Sequence, residues 1–444
     1  MSRVFNRMTK ILPPVAVRAK GLHIWDSTGK QYMDACGGAA VSCLGHSDDR
    51  VAEAMNAQMG KLDYVHPGFF SGEPAEHLAD LLLEDAPKGL DYAYFVSGGS
   101  EAMEAALKMA RQYFLEIGQP KRSRFISRSQ SYHGNTLGAL SVGGNLARRE
   151  PYAPMLMDVP LIAPCFAYRF KRDDETDEDY GRRTADELEA EILRLGPENV
   201  AGFPAETVVG ATTGCVAAVP GYFKRIREIC DKYGVLLILD EVMSGMGRTG
   251  TLHACEQEGV SPDLMTIAKG LGGGFQAIGA VLVAGKVHDP ITKGTGLFLH
   301  GHTYMAHPVA CAAGLAVVKI IKEDRLVERV QTQGVKLRQR MAARFGNHPH
   351  VGVVRGRGLF HAIELVQDRG TKDAFDPGLQ LHERIKVECM ARGLLAYPMA
   401  GTIDGRRGNH MILAPPYTVT DAQIDDIVER LGDSVDAALA GLPA

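Results

Sequence analysis

The run Val235-Leu236-Leu237-Ile238-Leu239-Asp240-Glu241 sets five aliphatic side chains in a row and then stops on two acids. Five residues are too few for a stable helix, and unbroken aliphatic character implies that both faces are covered. The run therefore reads as a buried strand of a parallel sheet. An aspartate at the carboxyl end of such a strand is poorly solvated and needs a partner. The same form recurs in Leu264-Met265-Thr266-Ile267-Ala268-Lys269, where a lysine replaces the acid and Gly270-Leu271-Gly272-Gly273-Gly274 follows. Upstream, Tyr92-Ala93-Tyr94-Phe95-Val96 leads into Ser97-Gly98-Gly99-Ser100-Glu101-Ala102. Beyond it, Ala105, Ala106, Met109, Ala110, Tyr113 and Phe114 share one helical face. Arg124-Phe125-Ile126 and Val200-Ala201-Gly202-Phe203 are further strand patterns. This alternation predicts an α/β fold, a mostly parallel central sheet flanked by helices. Ligands of such sheets bind beyond the carboxyl ends of the strands.

The alternation spans residues 66–325, the expected large domain. Residues 1–65 contain a hairpin pattern, with Leu22-His23-Ile24-Trp25 and Gln31-Tyr32-Met33 on either side of a turn at 26–30. Residues 326–444 change character: a helix near Arg325–Phe345, a strand at Gly358–Glu364, a second helix, a glycine-rich loop at 401–408 and a last helix after Thr420. These features predict a smaller α+β domain that recruits the N-terminal hairpin.

With 444 residues, the chain is long enough for two such units. A net charge of −4, with both signs interspersed, argues against a nucleic-acid partner. No apolar stretch approaches the roughly 20 residues that span a bilayer. The basic start MSRVFNRMTK is followed by no apolar core, so no secretory signal is expected. Eight scattered cysteines without a C-x-x-C pair point to neither disulfides nor a metal site, and suggest the cytoplasm.

Three strand ends carry the chemistry. The glycines and serine at 97–102 let a backbone approach an anion at a helix N-terminus, although a serine-capped turn has the same appearance. Neither a dinucleotide fingerprint nor a G-K-[ST] ending is present. Asp240 suits a protonated pyridine nitrogen, with a helix cap or a magnesium ligand as the other readings. Lys269, buried beside glycines, would have a lowered pKa and a nucleophilic amine able to react with an aldehyde.

Taken in order and spacing, these segments resemble the class III aminotransferases of fold type I. The resemblance rests on LLILDEV-x-S-G-M-G-R-T-G at 236–250 and DLMTIAKGLGGG at 263–274. It extends to Ser131-Tyr132-His133-Gly134, Gly301-His302-Thr303-Tyr304, Arg355-Gly356-Arg357-Gly358-Leu359 and Leu413-Ala414-Pro415-Pro416. It implies pyridoxal 5′-phosphate as cofactor, with Lys269 as covalent anchor and proton carrier and Asp240 on the pyridine nitrogen. Val242 and Tyr132 would flank the ring, while Gly99 and Ser100 would hold the phosphate. Glu206 would frame the substrate pocket, and His133 would support Tyr132. Thr303 would reach the phosphate of a neighbouring subunit, which implies a homodimer that could pair into a tetramer. Thr207 and Ala277 stand where the family often has proline.

The resulting expectation is an enzyme that moves an amino group from an ω-amino acid or primary amine to an α-keto acid, with pyruvate as acceptor, in ping-pong order. Cys43, Arg406 and Arg407 are the candidate substrate residues, the arginines as a carboxylate grip. The same fold would also accommodate a decarboxylating transaminase, an aminomutase or a racemase. A non-catalytic pyridoxal-phosphate-binding protein is the reading outside catalysis.

Overall fold

The computed structural model describes residues 3–442. Its central sheet has six strands in the order Leu90–Val96, Gly279–Ala284, Leu264–Ile267, Leu236–Asp240, Val200–Glu206, Arg124–Phe125. The last four are mutually parallel. Gly279–Ala284 is antiparallel to both neighbours, so Leu90–Val96 points the same way as the other four.

The aliphatic run is buried as its composition requires, because alternate side chains feed different cores. Leu236 and Ile238 pack with Ala106, Met109 and Ala110 of the helix Gly99–Glu116. Leu237 and Leu239 pack on the opposite face with Leu188 and Ile192 of Asp177–Leu195 and with Ile226 and Ile229 of Tyr222–Tyr233. Helices cover both faces, and no position in the run is left for a polar side chain.

A second core gathers both ends of the chain. Antiparallel strands Val351–Arg357, Phe360–Leu365, Asn409–Leu413 and Tyr397–Ala400 form a sheet. The helices Leu326–Phe345, Leu381–Ala391 and Asp421–Ala440 place Leu337, Ile385 and Leu431 in the same cluster as Leu22 and Met33. Thr420 caps the last helix by a reciprocal bond pattern with Gln423. The N-terminal hairpin forms where its pattern places it, with His23 opposite Met33. Leu394–Leu395 adds a parallel strand to Gln31–Asp34.

Gly279–Ala284 and Val351–Arg357 are among the strands that the sequence does not announce. Gly279–Ala284 follows the glycine-rich loop after only a few residues, so its apolar run is not set off by a turn. Val351–Arg357 contains two glycines and two arginines, which lower β propensity. All eight cysteines are free and buried. Among the described residues, no helix is long and apolar enough to cross a membrane.

An ion cluster ties the C-terminal sheet to the central body. The fully buried Glu364 carboxylate accepts from Arg169 Nε at 2.6 Å and is paired with Arg355. Arg355 Nε also donates to the Gly214 carbonyl at 2.6 Å. Removing one partner of such a buried group strands the others without counter-charge. Glu364→Ala should therefore destabilise the protein by about 3–5 kcal/mol, measured as a lower Tm. An unchanged Tm would mean that the cluster does not hold the two parts together.

Candidate active site

Strand register assembles the site. Asp240 lies opposite Glu206 on one side and opposite Thr266 on the other, so three neighbouring strands end at one level. Lys269 comes three residues after Thr266, at the start of the tight turn Lys269–Leu271. Its backbone is left-handed, with φ 48°, a conformation that a residue with a Cβ adopts at a cost and that clusters at functional sites. Bonds from the Gly272 and Gly273 amides to the Lys269 carbonyl, each 3.0 Å, hold it there. The lysine, Asp240, Glu206 and Tyr132 all line one cavity of about 250 Å³.

The charges in this cavity are out of balance with their surroundings. Burial drives the Lys269 ammonium down to about 8, even though the carboxylates of Asp240 and Glu206 pull the other way. Arg148 adds a smaller push in the same direction as burial. Burial also raises the Glu206 carboxyl. The charge of Asp240 adds to that rise; His133 and the amides of Gly210 and Tyr132, the latter two at 2.9 Å from its oxygens, oppose it.

Asp240 is only 5% exposed. One of its oxygens accepts from the Val242 amide at 3.0 Å, and the other faces His133 Nδ1 at 2.7 Å. The imidazole therefore fixes the carboxylate in orientation. Nε2 of His133 is buried without a hydrogen-bond partner.

The opposite wall is built around a helix start. Gly98 precedes Gly99–Glu116 and offers no side-chain cap, so first-turn amides stay open at the positive end of the dipole. Ser100 Oγ accepts from the Asn135 amide at 3.0 Å, which brings the Tyr132–Asn135 loop alongside. Two glycines make this approach possible. A Cβ on Gly99 would lie 2.9 Å from a Val242 methyl, and one on Gly134 would lie 2.5 Å from Ser100 Oγ.

Eight of the residues singled out from the sequence, Gly99, Ser100, Tyr132, His133, Glu206, Asp240, Val242 and Lys269, line this cavity. Four do not. Thr303 is exposed in the segment before Pro308, where its carbonyl accepts from Tyr64 Oη at 3.1 Å. Cys43, expected in the substrate pocket, is instead fully buried, with Sγ 3.4 Å from the Gly270 carbonyl, and packs in the second core. Its thiol is driven up to about 11 by burial, as suits a small apolar filler. Arg406 and Arg407 point to surface acids: Arg406 contacts Glu150 at 3.1 Å and Arg407 contacts Asp404 at 2.7 Å. Their expected grip on a substrate carboxylate is not present in this arrangement, because exposed acids already occupy both guanidinium groups.

Two neighbours escaped the sequence reading. Glu241 is fully buried, and burial pushes its carboxyl up to about 7. It accepts from the amides of Ala254 at 2.6 Å and Cys255 at 2.7 Å and from Thr207 Oγ1 at 3.0 Å. It thus pins the turn Ala254–Glu258 beneath the site. A second acid after Asp240 was the only signal for it. Arg148 lies over the Tyr132 ring, 4.6 Å from its centroid, and no sequence pattern marked it.

Residues 4–435 match the family described as Aminotransferase class-III. An uncharacterized aminotransferase of Schizosaccharomyces pombe is 49% identical, over 97% of this chain and 94% of its own length. A thermostable (S)-enantioselective omega-transaminase from Thermomicrobium roseum superposes with a TM-score of 0.90 at 37% identity, over 96% of this chain and 93% of that one. An omega transaminase from Pseudomonas jessenii, solved in complex with PMP, gives 0.91 at 32% identity, over 96% and 93%. A likeness that runs the length of the chain, together with a strand-end lysine and aspartate in one cavity, makes this protein a member of the class III aminotransferases, fold type I enzymes that use pyridoxal phosphate.

Proposed function

We propose that the protein is an ω-aminotransferase that moves an amino group from an ω-amino acid or primary amine to an α-keto acid, with pyruvate as acceptor, in ping-pong order. The observation that carries this reading is Lys269, a cavity lysine whose amine burial brings to about 8, set among the ends of the Asp240 and Glu206 strands.

The cavity suits the cofactor at each of its chemical ends. Open amides at the start of Gly99–Glu116, with the Ser100 hydroxyl, suit a phosphate. The Asp240 carboxylate, held by His133, suits a protonated ring nitrogen. Val242 and Tyr132 provide apolar and aromatic surface for the ring between. When bound, pyridoxal phosphate supplies a covalent hold on the amino group and a sink for the electrons left when a C–H bond breaks.

Everything else is done by the chain. Lys269 holds the cofactor and then carries a proton to and from the carbon that bears the amino group. A pKa near neutrality suits both directions of that transfer, and a fixed position beside the carbon removes the cost of bringing a base to it. Asp240 keeps a proton on the ring nitrogen, and His133 positions Asp240. Glu206 frames the donor side of the pocket. Thr303 would serve the phosphate of a second copy in a homodimer, in keeping with its exposure outside its own cavity. Eight free thiols fit a reducing compartment such as the cytoplasm.

The first experiment follows the visible absorption of the holoenzyme. The band of the lysine-bound cofactor should bleach with a suitable donor and return with pyruvate; a band that no amine bleaches would count against transamination. Lys269→Ala should lower kcat by at least about 10²–10⁴-fold while the protein stays folded by circular dichroism. Turnover close to wild type would remove the lysine from the mechanism. The lysine also predicts a pH dependence. A protonated amine has no lone pair, so attack on the cofactor aldehyde needs the neutral form, which grows as pH rises through the folded pKa. With that value at about 8, roughly one molecule in ten is competent at pH 7, against roughly one in three thousand for an ordinary lysine. The rate at which apoenzyme takes up pyridoxal phosphate should climb with pH and level off just above 8. A rate still climbing beyond pH 10 would contradict the assignment.

A further inference from the structure

We propose that Arg148 binds the distal carboxylate of the amino donor, so that the preferred donors are ω-amino acids with the amino group several carbons from the acid. This rests on the transaminase reading above and names the donor class for that same cavity.

The argument begins with three consecutive charged residues, Arg148, Arg149 and Glu150, at the end of the short helix Leu146–Arg149. Arg149 is used by the fold: its guanidinium caps the carbonyls of Leu140, Ser141 and Gly143. Glu150 is held by Arg406 at 3.1 Å. Arg148 differs from both. It is half-buried, and among the described residues its guanidinium has neither a hydrogen bond nor an ion pair; it lies over the face of Tyr132, 4.6 Å from the ring centroid. Partial burial of a cation without an acid is unfavourable unless something else supplies the counter-charge.

Tyr132 places that cation. Its ring lines the cavity that holds Lys269, while Arg148 lies against the ring rather than in the cavity wall. The guanidinium is 4.6 Å from the ring centroid, and its positive charge acts on both the Tyr132 hydroxyl and Lys269. Arg7, from the N-terminal segment, adds a second positive charge acting on Tyr132. A carboxylate next to the reacting carbon would stay on the Lys269 side of the ring. One at the far end of a chain would extend past Tyr132 and meet the guanidinium, whose planar fork matches it with two parallel hydrogen bonds. A diamine would bring its second ammonium to the same place and be repelled.

The test compares matched donors on the wild-type holoenzyme, Arg148→Met and Arg148→Lys. The acids are β-alanine, 4-aminobutyrate and 5-aminovalerate; the controls are propylamine, butylamine, pentylamine and 1,5-diaminopentane. Arg148→Met should raise KM for the longer acids roughly 10- to 100-fold, leave the monoamines within about threefold, and improve the diamine; Arg148→Lys should fall between. Calorimetric titration with pentanoate, which has no amine to transfer, should show binding to the wild type that Arg148→Met loses. Equal losses on acids and amines would reduce Arg148 to a prop for Tyr132 and overturn the proposal, as would unchanged acid selectivity or pentanoate binding that survives the substitution. If no donor bleaches the cofactor band while pentanoate binding still depends on Arg148, the transaminase reading falls and the carboxylate subsite stands.

Discussion

Hydrogen-bond register across three parallel strands is the constraint on which the site depends. Glu206, Asp240 and Thr266 are level because each pairs in sequence with its neighbour, and Lys269 inherits its position from the third strand. A slip of one residue would turn every side chain to the opposite face. It would bury Asp240 among the aliphatic residues of one core and bring an aliphatic side chain to the cavity. The chemistry is thus secured by backbone pairing that is itself fixed by apolar packing. Leu236 and Ile238 cannot exchange faces with Leu237 and Leu239 without emptying two cores at once.

Around that register, the protein places a buried charge only where it can be held. Asp240 has His133 and the Val242 amide, Glu241 has two amides and a threonine hydroxyl, and Arg248 donates to the Leu359 and Pro415 carbonyls from a fully buried position. Arg248 and Glu364 work in the same sense at different places. Each spans from the central sheet region to the C-terminal body, so the two are joined by directional bonds as well as by packing. Lys269 is the exception. Its neighbours do not compensate fully for its burial, and that shortfall brings its amine into a reactive range.

How much of this could be read in the chain depends on how local each signal is. The strand ends at Val96, Asp240 and Ala268 were legible because an aliphatic run followed abruptly by a polar or glycine-rich segment has few other meanings. Spacing then made the set specific, and it placed eight residues that do line one cavity. The orientation of Cys43 was not legible, because nothing in a sequence tells which way a small side chain points; its thiol faces the Gly270 carbonyl and packs in the second core. Nor was there any sign in the sequence of the surface partners of Arg406 and Arg407, since Glu150 and Asp404 are brought to them by loop geometry. Arg148 was invisible because its meaning lies in the contact with Tyr132, sixteen positions away along an irregular path. The antiparallel strand Gly279–Ala284 was hidden by a neighbouring loop whose glycines dominate the local pattern.

The small parallel pairing of Leu394–Leu395 with Gln31–Asp34 has a consequence for biosynthesis. The hairpin is made before the strand that completes its sheet, which follows some 360 residues later. At ordinary translation speeds of about 5–20 residues per second, the edge of Gln31–Asp34 waits roughly 20–70 s for its partner. An open strand edge is a template for pairing with other nascent chains. This one is only four residues long, and its Tyr32 and Met33 are buried in the finished fold, so their exposed apolar surface rather than the edge itself is the greater hazard on the ribosome. Expression conditions that lengthen the wait should therefore affect yield more than the stability of the finished enzyme.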